Sequence, residues 1–359
     1  MIRVLHLSRN YHPAIGGTEN FIASLARHVE PLGVKSAVIS STRRMTGEGP
    51  LPEMPVLRVP SLGPDRLQVV RHVSTRLRAL ITWAEIVHFH DLRFGLDLLA
   101  RVRSLRARPR VLSTHGLIFH THDHDPIKRL AWRKILLPTL RTFDAVLASS
   151  AADLARVSDL PRAQLLPNPV EIDRFASAAM VPPAPDGPLL YFGRVAPNKG
   201  LETLAPLLRR DKRLRLVVTG RGDRPYVEAL ERSFVGLAVD FTGELGAAAL
   251  DKQLLACSAI VLPSRTEGFG LTLVEAMATG RPVIAADIPP YREIAVGTDV
   301  DLVDFEDPAL VIERLGRARR AADRTATIER ARSYSWETRA PEFADLYLGL
   351  IDAGHHRRD

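Results

Sequence analysis

The sequence predicts an α/β protein made of two doubly wound, Rossmann-like halves. Three observations point there. Short apolar runs alternate with stretches whose apolar residues recur at helical spacing, which is the pattern of a parallel sheet with crossover helices. The alternation stops near residue 182 in an Ala/Pro-rich stretch and then restarts. A length of 359 residues suits two such domains.

Ile2 to Ser8 is the first strand-like run, and it ends in a turn-prone loop holding Pro13, Gly16 and Gly17. Thr18 and Glu19 are placed to cap the next helix, in which Phe21, Ile22, Leu25, Ala26 and Val29 share a face. Gly33 ends that helix, and Val34 to Ser40 reads as the second strand. Val56 to Val59, Ile86 to Phe89, Arg110 to Ser113, Ala145 to Ala148 and Gln164 to Leu166 complete the half. Ala176 to Pro188, with Val181-Pro182-Pro183-Ala184-Pro185, has no period and reads as a linker. Strand-like runs then resume at Leu189 to Phe192, Leu214 to Thr219, Val239 to Phe241, Ala259 to Leu262 and Pro282 to Ala285. A last helix begins near Trp336 and runs to about Ile351. The expected domains are 1–182 and 183–335, with 336–359 packing back on the first and a ligand cleft between the two.

Composition excludes several classes. An apolar fraction of 46% and a charged fraction of 25% are those of a folded protein, not a disordered or disulfide-rich one. The lone cysteine, Cys257, cannot form an internal disulfide and fits a reducing cytosol. Apolar stretches are broken by charge before reaching the ~20 residues of a membrane span. Met1 to Leu7 is too short for a signal peptide's apolar region, so export by the usual route is not expected. The net charge of +8 is localised: residues 66–141 hold 15 basic and 5 acidic side chains, and the remainder is close to neutral. Such a one-sided field attracts anionic membranes or nucleic acid. With 6% aromatic residues and no interleaving of aromatic and basic positions, nucleic acid is the poorer match. The segment from Arg66 to Ala84 puts Leu67, Val70, Val73, Leu77, Leu80 and Ala84 on one helical face, and Trp132 sits among Lys128, Arg129, Arg133 and Lys134. Both features suit a basic amphipathic surface lying on a bilayer.

Three strand-to-helix turns could carry chemistry. In Pro263-Ser264-Arg265-Thr266-Glu267-Gly268-Phe269-Gly270-Leu271-Thr272-Leu273-Val274-Glu275, the glycines admit a ligand close to the backbone, and the amides of Gly270, Leu271 and Thr272 open a helix toward an anion. Glu267 and Glu275 could flank one elongated ligand and accept hydrogen bonds from vicinal hydroxyls of a sugar or ribose. Gly193-Arg194-Val195-Ala196-Pro197-Asn198-Lys199-Gly200 offers two cations for a diphosphate, one able to grip it in bidentate fashion. Gly16 and Gly17 could approach a phosphate at the first turn. That turn is not the G-x-G-x-x-G dinucleotide fingerprint, which counts against nicotinamide and flavin.

These motifs resemble the retaining glycosyltransferases of family 4, which have the GT-B fold of two Rossmann-like domains facing across a cleft. The likeness rests on Gly16-Gly17 with Glu19, Leu166-Pro167-Asn168-Pro169, Gly193-Arg194 with Lys199-Gly200, Gly220-Arg221-Gly222, and the Glu267/Glu275 pair followed by Gly280-Arg281-Pro282. The resemblance implies a nucleotide-sugar donor and no cofactor or metal, with Arg194 and Lys199 neutralising the diphosphate. It implies that Glu267 binds donor-sugar hydroxyls, that Glu275 binds the ribose, and that His115 contacts the sugar near its anomeric carbon. Gly16, Gly17, Gly193, Phe269, Gly270, Leu271 and Thr272 are the remaining binding positions. Two departures stand out. The usual Asn-Gly is Asn168-Pro169, and a loop often rich in glycine reads Ile288-Pro289-Pro290-Tyr291-Arg292-Glu293, so contacts from it are not expected.

Thr114 to Thr121 looks similar to mannosyltransferases that build exopolysaccharide units on prenyl diphosphate. The first expectation is therefore transfer from GDP-mannose to a lipid-linked saccharide on the inner membrane face. A transferase using UDP-glucose or a related donor on a small acceptor is the second. A sugar epimerase of the same fold, a basic binding module and a metal-dependent hydrolase are further alternatives. The hydrolase would use His88 and His90 with His115, His120, His122, Asp123, His124 and Asp125.

Overall fold

Short β-branched and aliphatic runs, buried on both faces, build two separate parallel sheets. The computed structural model describes the chain except residues 14–15, 42–53, 63–68, 91–97, 100–101, 116–129, 131–133, 135, 161, 321–322 and 356–359. The chain divides into one unit of Met1–Pro169 with Trp336–Asp359 and another of Val170–Ser335.

The first unit's sheet contains β1 (Ile2–Leu7), β2 (Val34–Ser41), β3 (Val56–Val59), β6 (Ile86–Phe89), β7 (Arg110–Ser113), β8 (Ala145–Ala148) and β9 (Ala163–Leu165), ordered β3-β2-β1-β6-β7-β8-β9. A small antiparallel ribbon of β4 (Ser61–Leu62) and β5 (Val69–Val70) lies outside it. The first helix, Gly17–Val29, starts from Gly16 and turns Phe21, Ile22, Leu25 and Val29 inward. Its start corrects the expected cap: Thr18 and Glu19 lie in the first turn, where the Glu19 charge complements the helix dipole. The C-terminal helix, Trp336–His355, buries Trp336, Ala340, Phe343 and Tyr347 in the same core cluster as that inward face.

The second unit's sheet is β12-β11-β10-β13-β14-β15, with β10 at Leu189–Phe192, β11 at Leu216–Thr219, β12 at Val239–Gly243, β13 at Ala259–Leu262, β14 at Val283–Ala286 and β15 at Asp301–Val303. All its pairings are parallel. β15 was not expected, because three residues beginning with an aspartate carry almost no strand pattern.

Two expectations are corrected. The break comes after Pro169 rather than near residue 182: Ile172, Phe175 and Ala178 are core residues of the second unit, and the Val170 amide donates to the Tyr334 carbonyl. The Ala-rich stretch is held there, since Arg281, almost wholly buried, donates to the Ala178 carbonyl at 3.0 Å. The amphipathic helix expected over 66–84 is instead strand β5 followed by a helix of Thr75–Trp83, capped by the Ser74 hydroxyl. Leu77 and Ile81 are buried in the unit's own core with Val70 and Ala84, so the protein covers that apolar face. Arg71, Arg76, Arg78 and Lys134 remain exposed, while Arg66, Leu67, Lys128, Arg129, Trp132 and Arg133 lie outside the described residues. Among the described residues no helix is long and apolar enough to cross a membrane.

The turns after β10 and β11 pack backbone on backbone. Gly220 has a φ of +144°, and a Cβ there would stand 1.7 Å from the Gly193 carbonyl oxygen. Gly220→Ala should therefore lower stability by more than about 1 kcal/mol, measured by urea unfolding, because both the backbone angle and the space exclude a methyl.

Candidate functional site

In the second unit the strand order reverses between β10 and β13. Open α/β sheets bind ligands at such a switch point. Here the two loops are Gly193–Gly200 and Pro263–Gly270. The Arg265 amide donates to the Asn198 carbonyl at 2.9 Å, and the Asn198 side chain donates to the Thr266 carbonyl at 3.2 Å. Gly200, at φ +62°, sits where a Cβ would meet the Pro263 carbonyl at 2.3 Å, so this close approach requires glycine.

Lys199 and Glu267 meet between these loops. Nζ lies 2.6 Å from Oε1, with the side chains 12% and 10% exposed. The Ser264 hydroxyl donates to the same oxygen at 2.7 Å, and the Tyr291 hydroxyl lies 3.0 Å from it. Burial, then the Glu267 charge, drive the Tyr291 phenol well above its ordinary pKa, which keeps it a protonated donor. Among the described residues, the hydrogen-bonding and ion-pair partners of Glu267 all converge on Oε1. Tyr291 is the residue that sequence reasoning set aside: its helix, Pro289–Ile294, lacks the familiar glycines, yet its hydroxyl reaches the central carboxylate. Gly270, at φ +116°, leaves the room it needs, since a Cβ would stand 2.8 Å from the Tyr291 ring.

Glu275 lies in the helix Leu271–Ala278, which starts from Gly270 without a side-chain cap. Burial pushes its carboxyl up to about 7, and Arg174 and Lys199 partly offset the effect. Lys199 therefore acts on both predicted acids. Arg194 is exposed, and its loop is fixed by the Tyr191 hydroxyl donating to its carbonyl at 2.7 Å. Thr272 and Gly193 are brought together, with Thr272 Oγ1 3.3 Å from where a Gly193 Cβ would be. Leu271 is exposed at the helix start, whereas Phe269 is buried edge-on to Tyr334. The side chain of Phe269 is thus a core residue, and only its backbone is left for a ligand. Arg174 is a further neighbour that no motif signalled, and Ser264, quoted within the loop, was given no role of its own.

Gly16, Gly17 and His115, the remaining predicted positions, lie in the first unit. Among the described residues nothing lies within 4 Å of a Cβ added at Gly17, while the Glu19 carboxylate lies under Gly16. His115 follows β7 at φ +42°, a left-handed conformation that costs a non-glycine residue about 1–3 kcal/mol and clusters at functional sites. Its loop is anchored by the Thr114 hydroxyl donating to Asp153 at 3.1 Å.

His88 and His90, with His6, have ring nitrogens within 4.8 Å of one another, which is the spacing of a metal trio. Those nitrogens are already engaged: His88 with Tyr347 and Ser113 hydroxyls at 2.8 Å each, and His6 with His90 at 3.0 Å. Burial lowers the pKa of all three, that of His6 to about 3. A cation would have to break these bonds. His120, His122, Asp123, His124 and Asp125 lie outside the described residues.

Two family models match the chain: residues 15–174 fit the one described as Glycosyltransferase Family 4, and residues 187–319 that of Glycosyl transferases group 1. The chain belongs to the family 4, group 1 glycosyltransferases. The transferase is similar to the GDP-mannose:cellobiosyl-diphosphopolyprenol alpha-mannosyltransferases of Xanthomonas oryzae pv. oryzae (29% identity, 96% of each chain) and of Xanthomonas campestris (28%, 98% of this chain and 97% of that one). Among solved structures, sucrose-phosphate synthase from Thermosynechococcus elongatus matches 98% of this chain and 100% of its own with a TM-score of 0.75 at 20% identity. That likeness and the two parallel sheets identify the fold as GT-B.

Two outcomes follow from the Lys199–Glu267 pair and Glu275. Lys199→Met should destabilise the transferase by about 3 kcal/mol in denaturant titration, because it strands a buried carboxylate. Adding Glu267→Gln should recover part of the loss; strictly additive effects would contradict the pairing. Glu275, with its folded pKa raised above the ordinary 4.5, contributes stability that is present below about 4.5 and lost as the pH rises through about 7. Glu275→Gln should remove that part of the stability–pH curve between pH 4.5 and 7.

Proposed function

We propose that the transferase moves mannose from GDP-mannose, with retention of configuration, to a saccharide carried on polyprenyl diphosphate. The observation that carries this reading is the end-to-end similarity to enzymes named for that reaction, joined to a buried Lys199–Glu267 pair at the switch point of the second sheet. Glu267 Oε2 accepts hydroxyls of the donor sugar, and the pair's fixed geometry holds it in place before the donor arrives. Glu275 accepts the ribose hydroxyls. The Gly270–Thr272 amides and the Gly193 turn border the diphosphate.

In the reaction the anomeric carbon–oxygen bond to the diphosphate breaks and the acceptor oxygen bonds to the same face of that carbon. The acceptor proton passes to the leaving phosphate oxygen. Negative charge grows on the diphosphate as positive charge grows on the ring. Arg194 and Lys199 answer that growth as fixed cations, the task a divalent ion performs in other transferases, so the reading calls for no metal. A preorganised group of this kind is worth about 3 kcal/mol. His115 contacts the sugar near the anomeric carbon, and Gly16 and Gly17 leave backbone open to the acceptor.

A lipid-linked acceptor places the work at a membrane surface. The exposed Arg71, Arg76, Arg78, Arg103 and Arg106 of the basic segment supply attraction to an anionic, cytoplasmic leaflet. This attachment is electrostatic, since the helix of Thr75–Trp83 turns its apolar face inward.

With a polyprenyl-diphosphate-linked disaccharide as acceptor, turnover should be seen with GDP-mannose and persist in excess chelator, and product NMR should show the α-anomer. Preference for UDP-glucose and a soluble acceptor would replace this reading. Arg194→Ala should lower kcat about 100-fold. Binding of the sugar nucleotide, whose doubly esterified diphosphate has no group titrating there, should release a proton between pH 6 and 7 through Glu275, seen by calorimetry in buffers of differing ionisation enthalpy, and Glu275→Gln should abolish the release.

A further inference from the structure

Three histidines of the first unit stand in a line, of which the proposed chemistry uses only the last, His115. His6 is on β1, His90 follows β6, and His115 follows β7. The Ser36 hydroxyl, partly exposed on β2, lies 3.2 Å from His6 Nε2. His6 Nδ1 lies 3.0 Å from His90 Nε2, and His90 Nδ1 lies 3.0 Å from His115 Nε2. His6 and His90 are thus engaged through both ring nitrogens. His88 belongs to a crossing set, held by Tyr347 and Ser113, and braces the stack at a centroid distance of 4.1 Å from His90.

A neutral imidazole carries one N–H and one bare nitrogen. In each histidine–histidine contact one nitrogen must donate and the other accept. The direction chosen at one contact therefore dictates the next, and the rings must all point the same way. Burial keeps His6, His88 and His90 neutral, so the rule holds throughout the physiological range. If the line points from Ser36 outward, His115 receives at Nε2 and carries its proton on Nδ1. If it points inward, His115 donates from Nε2 and its Nδ1 is an acceptor.

We propose that His90 and His6 are positioning residues that, through this line, decide which nitrogen of His115 bears the proton and hold its ring against the strained backbone. The inference rests on the reading that His115 meets the donor sugar. It adds that the pole His115 presents, donor or acceptor, is set by side chains that never touch the substrate. Ser36, whose hydroxyl can donate or accept, is the end at which the direction can be reversed.

The test uses the full chain labelled with 15N-histidine and the same variants assayed for mannosyl transfer. Two-bond 1H–15N spectra of the wild type at pH 7 should show His115 in a single neutral tautomer. His90→Leu should leave a mixture at His115 and lower kcat about 10-fold. In a His115→Ala background, His90→Leu should cause no further loss. His90→Asn, whose amide replaces Nδ1, should restore both the single tautomer and most of the rate. Ser36→Ala should shift the His115 tautomer populations while the protein stays folded, with its melting temperature lowered only by the loss of that one hydrogen bond. A mixed tautomer in the wild type would overturn the proposal, as would an equal loss from His90→Leu with and without His115. If the wild type turned over no sugar nucleotide, the functional reading would fail while the spectra still decided whether the line sets the tautomer.

Discussion

A lysine and a glutamate held almost out of water organise the second unit. Taking both charges from solvent is expensive, and the contact repays it only because Ser264 and Tyr291 share the load on the same carboxylate oxygen. Every neighbouring feature serves that geometry. Gly200 lets one loop approach the other, Gly270 makes room for the phenol, and Gly220 lets the next turn press on Gly193. The sheet reverses its winding at the same place, so the loops carrying the two charges leave adjacent strands. Under the proposed function stability and activity are joined here, since the groups that neutralise each other at rest are the ones that reading offers to a substrate.

Glu275 shows a different use of burial. Its environment raises the carboxyl to near neutrality, so a bound ribose would be met by a group poised between two protonation states. The first unit takes the opposite course. His6, His88 and His90 are so enclosed that charging them is disfavoured, and their hydrogen bonds carry direction instead of charge.

Much of this was legible in the residues. Strand runs such as Ile86–Phe89 and Ala259–Leu262 are short, apolar and flanked by turn formers, and they appear where periodicity puts them. The Glu267 loop could be placed because it follows a buried strand and precedes a helix. Tyr291 could not, because nothing local says that a tyrosine on a Pro-initiated helix will point at a carboxylate 24 residues earlier in the chain. Phe269 lies between two glycines in a binding loop, yet its ring is drawn into the core, as packing outweighs motif. The boundary near residue 182 failed for a related reason. Alanine and proline suggest a tether, but Phe175 and Ala178 beside them are apolar enough to be claimed by the second core.

The first unit is discontinuous, made from the beginning of the chain and its final helix, with the whole second unit synthesised in between. On a ribosome the stripe of Phe21, Ile22, Leu25 and Val29 emerges early and must wait for Trp336, Phe343 and Tyr347 to arrive last. Until then the nascent chain carries an uncovered greasy surface while its second half is already able to mature. Vectorial synthesis thus imposes a timetable on this enzyme, in which a surface made before the second unit is covered by a helix made after it.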